Sequence, residues 1–187
     1  MIGTPTGKLE PASTPPGRGW TLAIVALLLL PSAAFLAAFH DLPRFGELHD
    51  DSLYFVSAKS LAEGHGYRIE SLPQSPAQTK YPPLYPLLLS IAWRVTPEFP
   101  ANLTLAGWLS WAALPVVLLE LAFLFPAWGF SRKQTWLLLA LFALNPYVII
   151  FSTEILTELW FLALILGSAL LVERGLREST AGCYEPR

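Results

Sequence analysis

Asp50 and Asp51 stand side by side after His49, and Glu154 and Glu158 stand four residues apart, a spacing that puts both on one face of a helix. A carboxylate so placed can take a proton from a hydroxyl as a general base, or offer oxygens to a divalent cation. Each acid also has a plainer reading. Aspartates at a helix start accept the orphan N–H groups of the first turn, and capping is the simplest local account of Asp50 and Asp51. Glu154 fits an interfacial acid. Glu158 could pair with Thr157 or a loop arginine, but a carboxylate inside an apolar run is costly enough to mark a functional position. Glu120, close to the end of its own apolar run, reads as an interfacial acid.

Lys80 opens the stretch Lys80-Tyr81-Pro82-Pro83-Leu84-Tyr85-Pro86, where a cation meets aromatic and apolar residues. There it can hold a phosphate as a point charge or act as an ordinary interfacial anchor. His49 or His65 could join Asp50 and Asp51 around a metal ion, yet no spacing here resembles a dedicated ligand set. Asn102-Leu103-Thr104 has the form of a glycosylation acceptor, abuts an apolar run and is assigned no role.

Composition says what must position these residues. Of 187 residues 53% are hydrophobic and only 14% charged, and mean hydropathy is +0.48, which excludes an ordinary water-soluble domain. Twelve Lys plus Arg against fourteen Asp plus Glu leave no basic excess for neutralising phosphates, so a nucleic-acid binder is excluded too. The single Cys183 rules out an intrachain disulfide and a cysteine-based zinc site. A helix needs about 20 mostly apolar residues to cross a bilayer. Four runs approach or meet this: 20–39, with Pro31 as an expected kink, then 103–125, 136–152 and 155–172. A fifth, 82–93, is too short. The 17 prolines gather in 1–16 and 73–100, which predicts non-helical or broken chain there.

The first run is longer than a signal-peptide core and is expected to be a retained anchor, with residues 1–19 a flexible cytoplasmic tail. Arg18, the Arg132/Lys133 pair and the Arg174/Arg177 pair follow the positive-inside rule together only if the proline-rich segment does not cross. Residues 40–102 then form an outer loop containing His40, His49 and His65, and the turn at 152–154 lies on the same face. Within the loop, 53–62 has helical spacing with an apolar stripe of Tyr54, Phe55, Ala58, Leu61 and Ala62, ended by Gly64. The expected fold is all-α: a polytopic membrane helix bundle of four transmembrane helices, plus a long outer loop with a short amphipathic helix and a Pro-rich return segment. Residues 178–187 form a polar tail.

In this order, an uncharged span, Asp50-Asp51 with Tyr54, a short helix ending at Gly64, TKYPPLYPLLL, and a span entered through STEILTELWF resemble the N-terminal part of the GT-C integral-membrane glycosyltransferases. The likeness is to protein O-mannosyltransferases, lipid A aminoarabinose transferases and the RgtA/B/C/D-like domain, and covers about 20–177. It implies an inverting transfer of a sugar from a polyprenyl-phosphate donor to an acceptor at the outer face of a bacterial inner membrane. The family's first loop acid, taken as the catalytic base, falls on Asp50, and its partner, commonly Glu, on Asp51. The acid of the next outward turn falls on Glu158 after Thr157, with Glu154 nearby, and the lysine contacting lipid phosphate falls on Lys80. An arginine that some members place three residues after the first acid is Leu53 here. Tyr54 is expected beside the substrate. Asp51 and Glu158 would orient acceptor or base, or hold a divalent cation if one is used. The acceptor, whether protein, lipid or glycan, is not specified. Family members run to about ten or more spans, so the chain is expected to be a truncated product or a module that needs a partner. The rival readings are a non-catalytic membrane scaffold or assembly subunit and a transporter fragment; the latter is disfavoured because transport sites usually sit at mid-membrane.

Overall fold

The computed structural model describes residues 18–39 and 45–182, with no side-chain account of Arg18 or of 178–182; residues 1–17 of the expected cytoplasmic tail, His40 and Cys183 lie outside the described residues. The fold is all-helical. Among the described residues the closest approach to a strand is one isolated antiparallel bridge, Arg68 with Ala77.

Helix α1, Arg18–Phe39, runs unbroken through Pro31. Helices α4, Asn102–Trp111, and α5, Ala113–Ala127, are separated only by Ala112 and make one apolar stretch of 26 residues. Helix α8, Glu158–Gly182, includes the apolar stretch Glu158–Arg177 and continues into the polar tail. These three are long and apolar enough to cross a membrane. The expected span 136–152 is instead a broken pair, α6 (Arg132–Ala143) and α7 (Pro146–Thr153), bent by 59°. It makes a fourth span if taken as one. Asn145 causes the break: its side chain accepts the Tyr147 N–H at 2.9 Å, and Pro146 sits where a first-turn N–H is not needed. Likewise 155–157 stay outside α8, so that span begins at Glu158 and not at Ile155.

Two smaller helices lie at one end. Helix α2, Asp50–Ala62, starts earlier than the expected 53, with His49 at its N-cap in a left-handed conformation (φ 56°). Asp50 and Asp51 therefore occupy the first turn and do not precede it. At the other end Gly64 (φ 81°) closes the helix as expected, with Gly64 N–H donating to Leu61 O at 3.4 Å and His65 N–H to Ser60 O at 3.0 Å. Helix α3, Leu84–Val95, corrects the expectation of broken chain between prolines. Pro83 is its N-cap and Pro86 lies in the first turn, where backbone N–H groups have no intrahelical partner to lose.

Packing forms two cores. In the first, Leu114, Val117, Leu118 and Leu121 of α5 meet Leu159, Ala163 and Leu166 of α8, with Leu139 of α6 and Val25 of α1. In the second, Tyr54, Phe55 and Ala58 of α2 meet Tyr85, Leu89 and Ala92 of α3, Ala106 of α4 and Ile155. So the α2 stripe faces the helices and not a free surface. Outward, Leu22, Leu27 and Leu30 of α1 and Phe161, Leu164 and Leu171 of α8 are exposed, a disposition compatible with helices in a membrane.

The helix ends sort the charges. A recess lined by Leu36 and Phe39, Leu103 and Thr104, and Thr153 to Ile155 shows that the C-terminal ends of α1 and α7 and the N-terminal end of α4 come together. At the opposite end Arg177 Nη2 donates to Ala127 O at 3.1 Å, bringing the basic end of α8 beside the α5–α6 turn that leads into Arg132 and Lys133 at the start of α6. Glu120 departs from its expected place. It lies against Gly167, near the midpoint of the α8 apolar stretch, with Oε2 buried and without a hydrogen-bond partner.

Candidate functional site

Successive residues of a helix point about 100° apart, so Asp50 and Asp51 serve different places. Asp50 turns toward Lys80 and Tyr81. The Tyr81 hydroxyl donates to Asp50 Oδ1, and Lys80 Nζ lies 3.4 Å from the same oxygen and 4.6 Å from the centre of the Tyr81 ring. The Tyr81 hydrogen bond, reinforced by Lys80, holds the Asp50 carboxyl below the usual carboxylate range. Partial desolvation and the same hydrogen bond push the Tyr81 phenol up. Lys80 is pushed up by Tyr81 and then by Asp50. At neutral pH the cluster is a carboxylate, an ammonium and a neutral phenol.

The backbone is arranged to hold Tyr81 there. Tyr67 Oη donates to Tyr81 O at 3.0 Å, and Lys80 N–H donates to the Gln78 side chain at 2.9 Å. Gln78 is itself buried, and its amide reaches Ser57 Oγ on α2 at 3.5 Å. The Tyr67 phenol, desolvated by burial, is pushed up to about 12.

Below this cluster a groove of about 500 Å³ opens between α3 and α8, lined by Tyr54, Tyr81, Tyr85, Leu88, Trp160 and Leu164 among others. Its surface is almost wholly apolar, and its polar rim is Tyr54, Tyr81 and Thr157. The Tyr54 ring packs 4.6 Å from that of Tyr81 and 5.3 Å from that of Tyr85. The buried Tyr85 hydroxyl is satisfied by Ser110 Oγ at 2.7 Å, and Trp160 Nε1 donates to Leu109 O at 3.1 Å. These bonds satisfy the polar atoms of two of the groove's aromatic walls. Glu158 is exposed at the start of α8, next to Thr157. Burial pushes both Tyr54 and Tyr85 up, and the Glu158 charge adds a smaller push on each.

Asp51 turns the other way. It is 1% exposed, accepts the Gly46 N–H at 2.7 Å and lines the recess with Glu154, which is also buried. That recess has room for about 50 Å³. Glu158 does not line it, so Asp51 is grouped with Glu154, and Asp50 with Lys80, Tyr54 and the Thr157–Glu158 entry to α8. Leu53, half-buried, contributes no charge to either place. Asn102 is fully buried and cannot accept a glycan as it stands.

Sequence reasoning places Tyr81 at the headgroup level and, within 81–93, in one wall of the donor groove that the resemblance implies, not on Asp50. Its position directly after Lys80 was the available signal, because a residue that anchors a phenol on a carboxylate carries its neighbouring ammonium along. Trp160 as a groove wall had no signal beyond aromatic character. Compared with known proteins, the chain matches no family model, no curated protein and no solved structure.

Proposed function

We propose that the chain carries the donor-binding and base-bearing part of an inverting glycosyltransferase that uses a polyprenyl-phosphate sugar. The observation that carries this reading is the Asp50–Tyr81–Lys80 cluster standing at the mouth of the apolar groove between α3 and α8. A lipid tail fits the groove, and a phosphate at its mouth meets Lys80. Asp50, already ionised, takes the proton of an acceptor hydroxyl as that oxygen attacks the anomeric carbon. The bond from that carbon to the phosphate oxygen breaks, and the departing phosphate keeps the electron pair next to the Lys80 ammonium. Phosphate at Lys80 also draws the ammonium from Asp50, which makes the carboxylate a stronger base when the donor is present.

In this reading four spans cross, counting α6 and α7 as one, while the 40–102 segment and the 152–158 turn face away from the cytoplasm. The basic ends of α1, α6 and α8 lie inside. Glu158, beside Thr157, orients the acceptor. Asp51 with Glu154 braces the loop before α2, and this oxygen pair is where a divalent cation would be held if the reaction uses one. Acceptor identity and membrane lipid contacts complete the partners.

The test is transfer from a radiolabelled polyprenyl-phosphate sugar in membranes containing the chain together with its native membrane background. Asp50→Asn is expected to lower transfer by about 10²–10⁴-fold, the usual contribution of a general base, while insertion is unchanged. Undiminished transfer removes Asp50 as the base. No transfer by the unaltered chain, with normal insertion, favours a scaffold.

A further inference from the structure

At the end of α2 opposite Asp50, about 18 Å away at 1.5 Å per residue, a second set of ligating side chains converges. Glu63 is the C-cap of α2, and His65 is fixed immediately beyond it by its N–H bond to Ser60 O. Gly66 (φ 84°) turns the chain back, its carbonyl held by Ser60 Oγ at 2.8 Å. Glu70 returns from a segment tied down by Ile69 N–H to Pro76 O at 2.9 Å and Gln78 N–H to Tyr67 O at 3.0 Å. Imidazole Nδ1 of His65 thus lies 2.6 Å from Glu70 Oε1 and 3.6 Å from Glu63 Oε2, and one ligand atom from each residue falls within 4.8 Å of the others. The other Glu63 oxygen is 3.7 Å from Lys59 Nζ.

Two carboxylates drawn this close to one nitrogen repel each other unless positive charge lies between them. One imidazole nitrogen and two carboxylate oxygens form a donor set suited to a borderline divalent ion such as zinc. We infer that Glu63, His65 and Glu70 bind a zinc-like divalent ion through Glu63 Oε2, His65 Nδ1 and Glu70 Oε1, with water filling the open position. Donor atoms around a tetrahedral zinc at about 2.0–2.2 Å stand roughly 3.3 Å apart. Small side-chain rotations, one widening the His65–Glu70 pair and one closing Glu63, reach that geometry on a surface where Glu63 and His65 are free to turn. The ion clamps the end of α2 to the segment that leads to Lys80. None of its ligands takes part in the proposed transfer, so the site stands apart from that reading.

The test uses the full chain in detergent, stripped with a chelator and without a polyhistidine tag, titrated with Co²⁺ and then Zn²⁺. Expected are one Co²⁺ per chain, visible absorption of a nitrogen–oxygen site, and displacement by Zn²⁺. His65→Ala and Glu70→Gln should each weaken binding by about tenfold or more, while His49→Ala leaves it unchanged. Zn²⁺ should raise the thermal midpoint of the unaltered chain and not that of His65→Ala. Binding no tighter than about 1 mM, or equal binding by His65→Ala, overturns the site.

Discussion

The Tyr54 hydroxyl lies 3.4 Å from Thr157 Oγ1, joining the first half of α2 to the residue before α8 across 103 positions of sequence. With Trp160 of α8 packed against the core that contains Tyr54, this contact brings the helix that carries Asp50 and the helix that begins at Glu158 to a common rim. Tyr54→Phe removes the bond and keeps the ring packing. Because the bond is long, the expected loss is at most about 1 kcal/mol, read as a small drop in thermal midpoint in detergent.

Tyr81→Phe changes the titration of Asp50. Its carboxyl is depressed in the fold, so the stability it contributes is fully present above the ordinary value of 3.8 and is lost as pH falls through the lower folded value. Removing the largest cause of the depression should move the titration upward, with Lys80 still holding it down in part. Carboxyl NMR of labelled aspartate, and the acid limb of any transfer activity, should both shift to higher pH. An unmoved titration would show that the phenol does not govern this carboxylate.

Leu164→Trp should fill the groove. Leu164 lines it and is 53% exposed, so a larger side chain enters open space and does not overpack the core. Binding of a polyprenyl phosphate is expected to weaken several-fold at an unchanged thermal midpoint. If binding persists, the lipid lies elsewhere.

Two glycines should respond unequally. A Cβ at Gly107 would stand 3.2 Å from Leu36 Cδ1, and larger side chains would push α1 from α4, so Gly107→Leu should cost about 1–3 kcal/mol. A Cβ at Gly167 would stand 2.9 Å from Glu120 Oε1, the end of a flexible side chain that can swing away. Gly167→Ala should therefore be the milder change, a ranking that denaturation of the two variants side by side would check.

Topology is open to labelling. With Cys183→Ser as background, single cysteines at Ser71 and Ser131 should react with an impermeant reagent from opposite sides of the membrane. Reaction from the same side would mean that α3 crosses or that the α4–α5 stretch does not.

The long helices were legible because charge is scarce in their apolar runs, a signal that depends on composition and little on context. The α6–α7 break was less so: 136–152 is uncharged throughout, and only Asn145-Pro146, a cap followed by an N1 proline, announced a new helix start. Helix α3 was misread because Pro83 and Pro86 were counted as breakers, although a first turn tolerates both. The two acids were found at once, but their divergence depends on α2 beginning at Asp50, which the left-handed His49 sets and no periodicity reveals. The Glu63–His65–Glu70 convergence was hidden for a similar reason, since Glu70 is brought back by backbone bonds to residues further along the chain.

The 59° bend has a consequence for depth. Twelve residues of α6, the two connecting residues and eight of α7 inclined to them advance about 27 Å along the α6 axis, against about 30 Å of hydrocarbon. If this pair crosses upright, Thr153 and Glu154 stop about 3 Å short of the far headgroups. The bilayer must pucker toward them or leave a dimple that water fills. Under the proposed transfer, a lipid-linked donor travelling in the plane of the leaflet would meet that dimple as a landmark, a thin spot in the membrane beside the carboxylates.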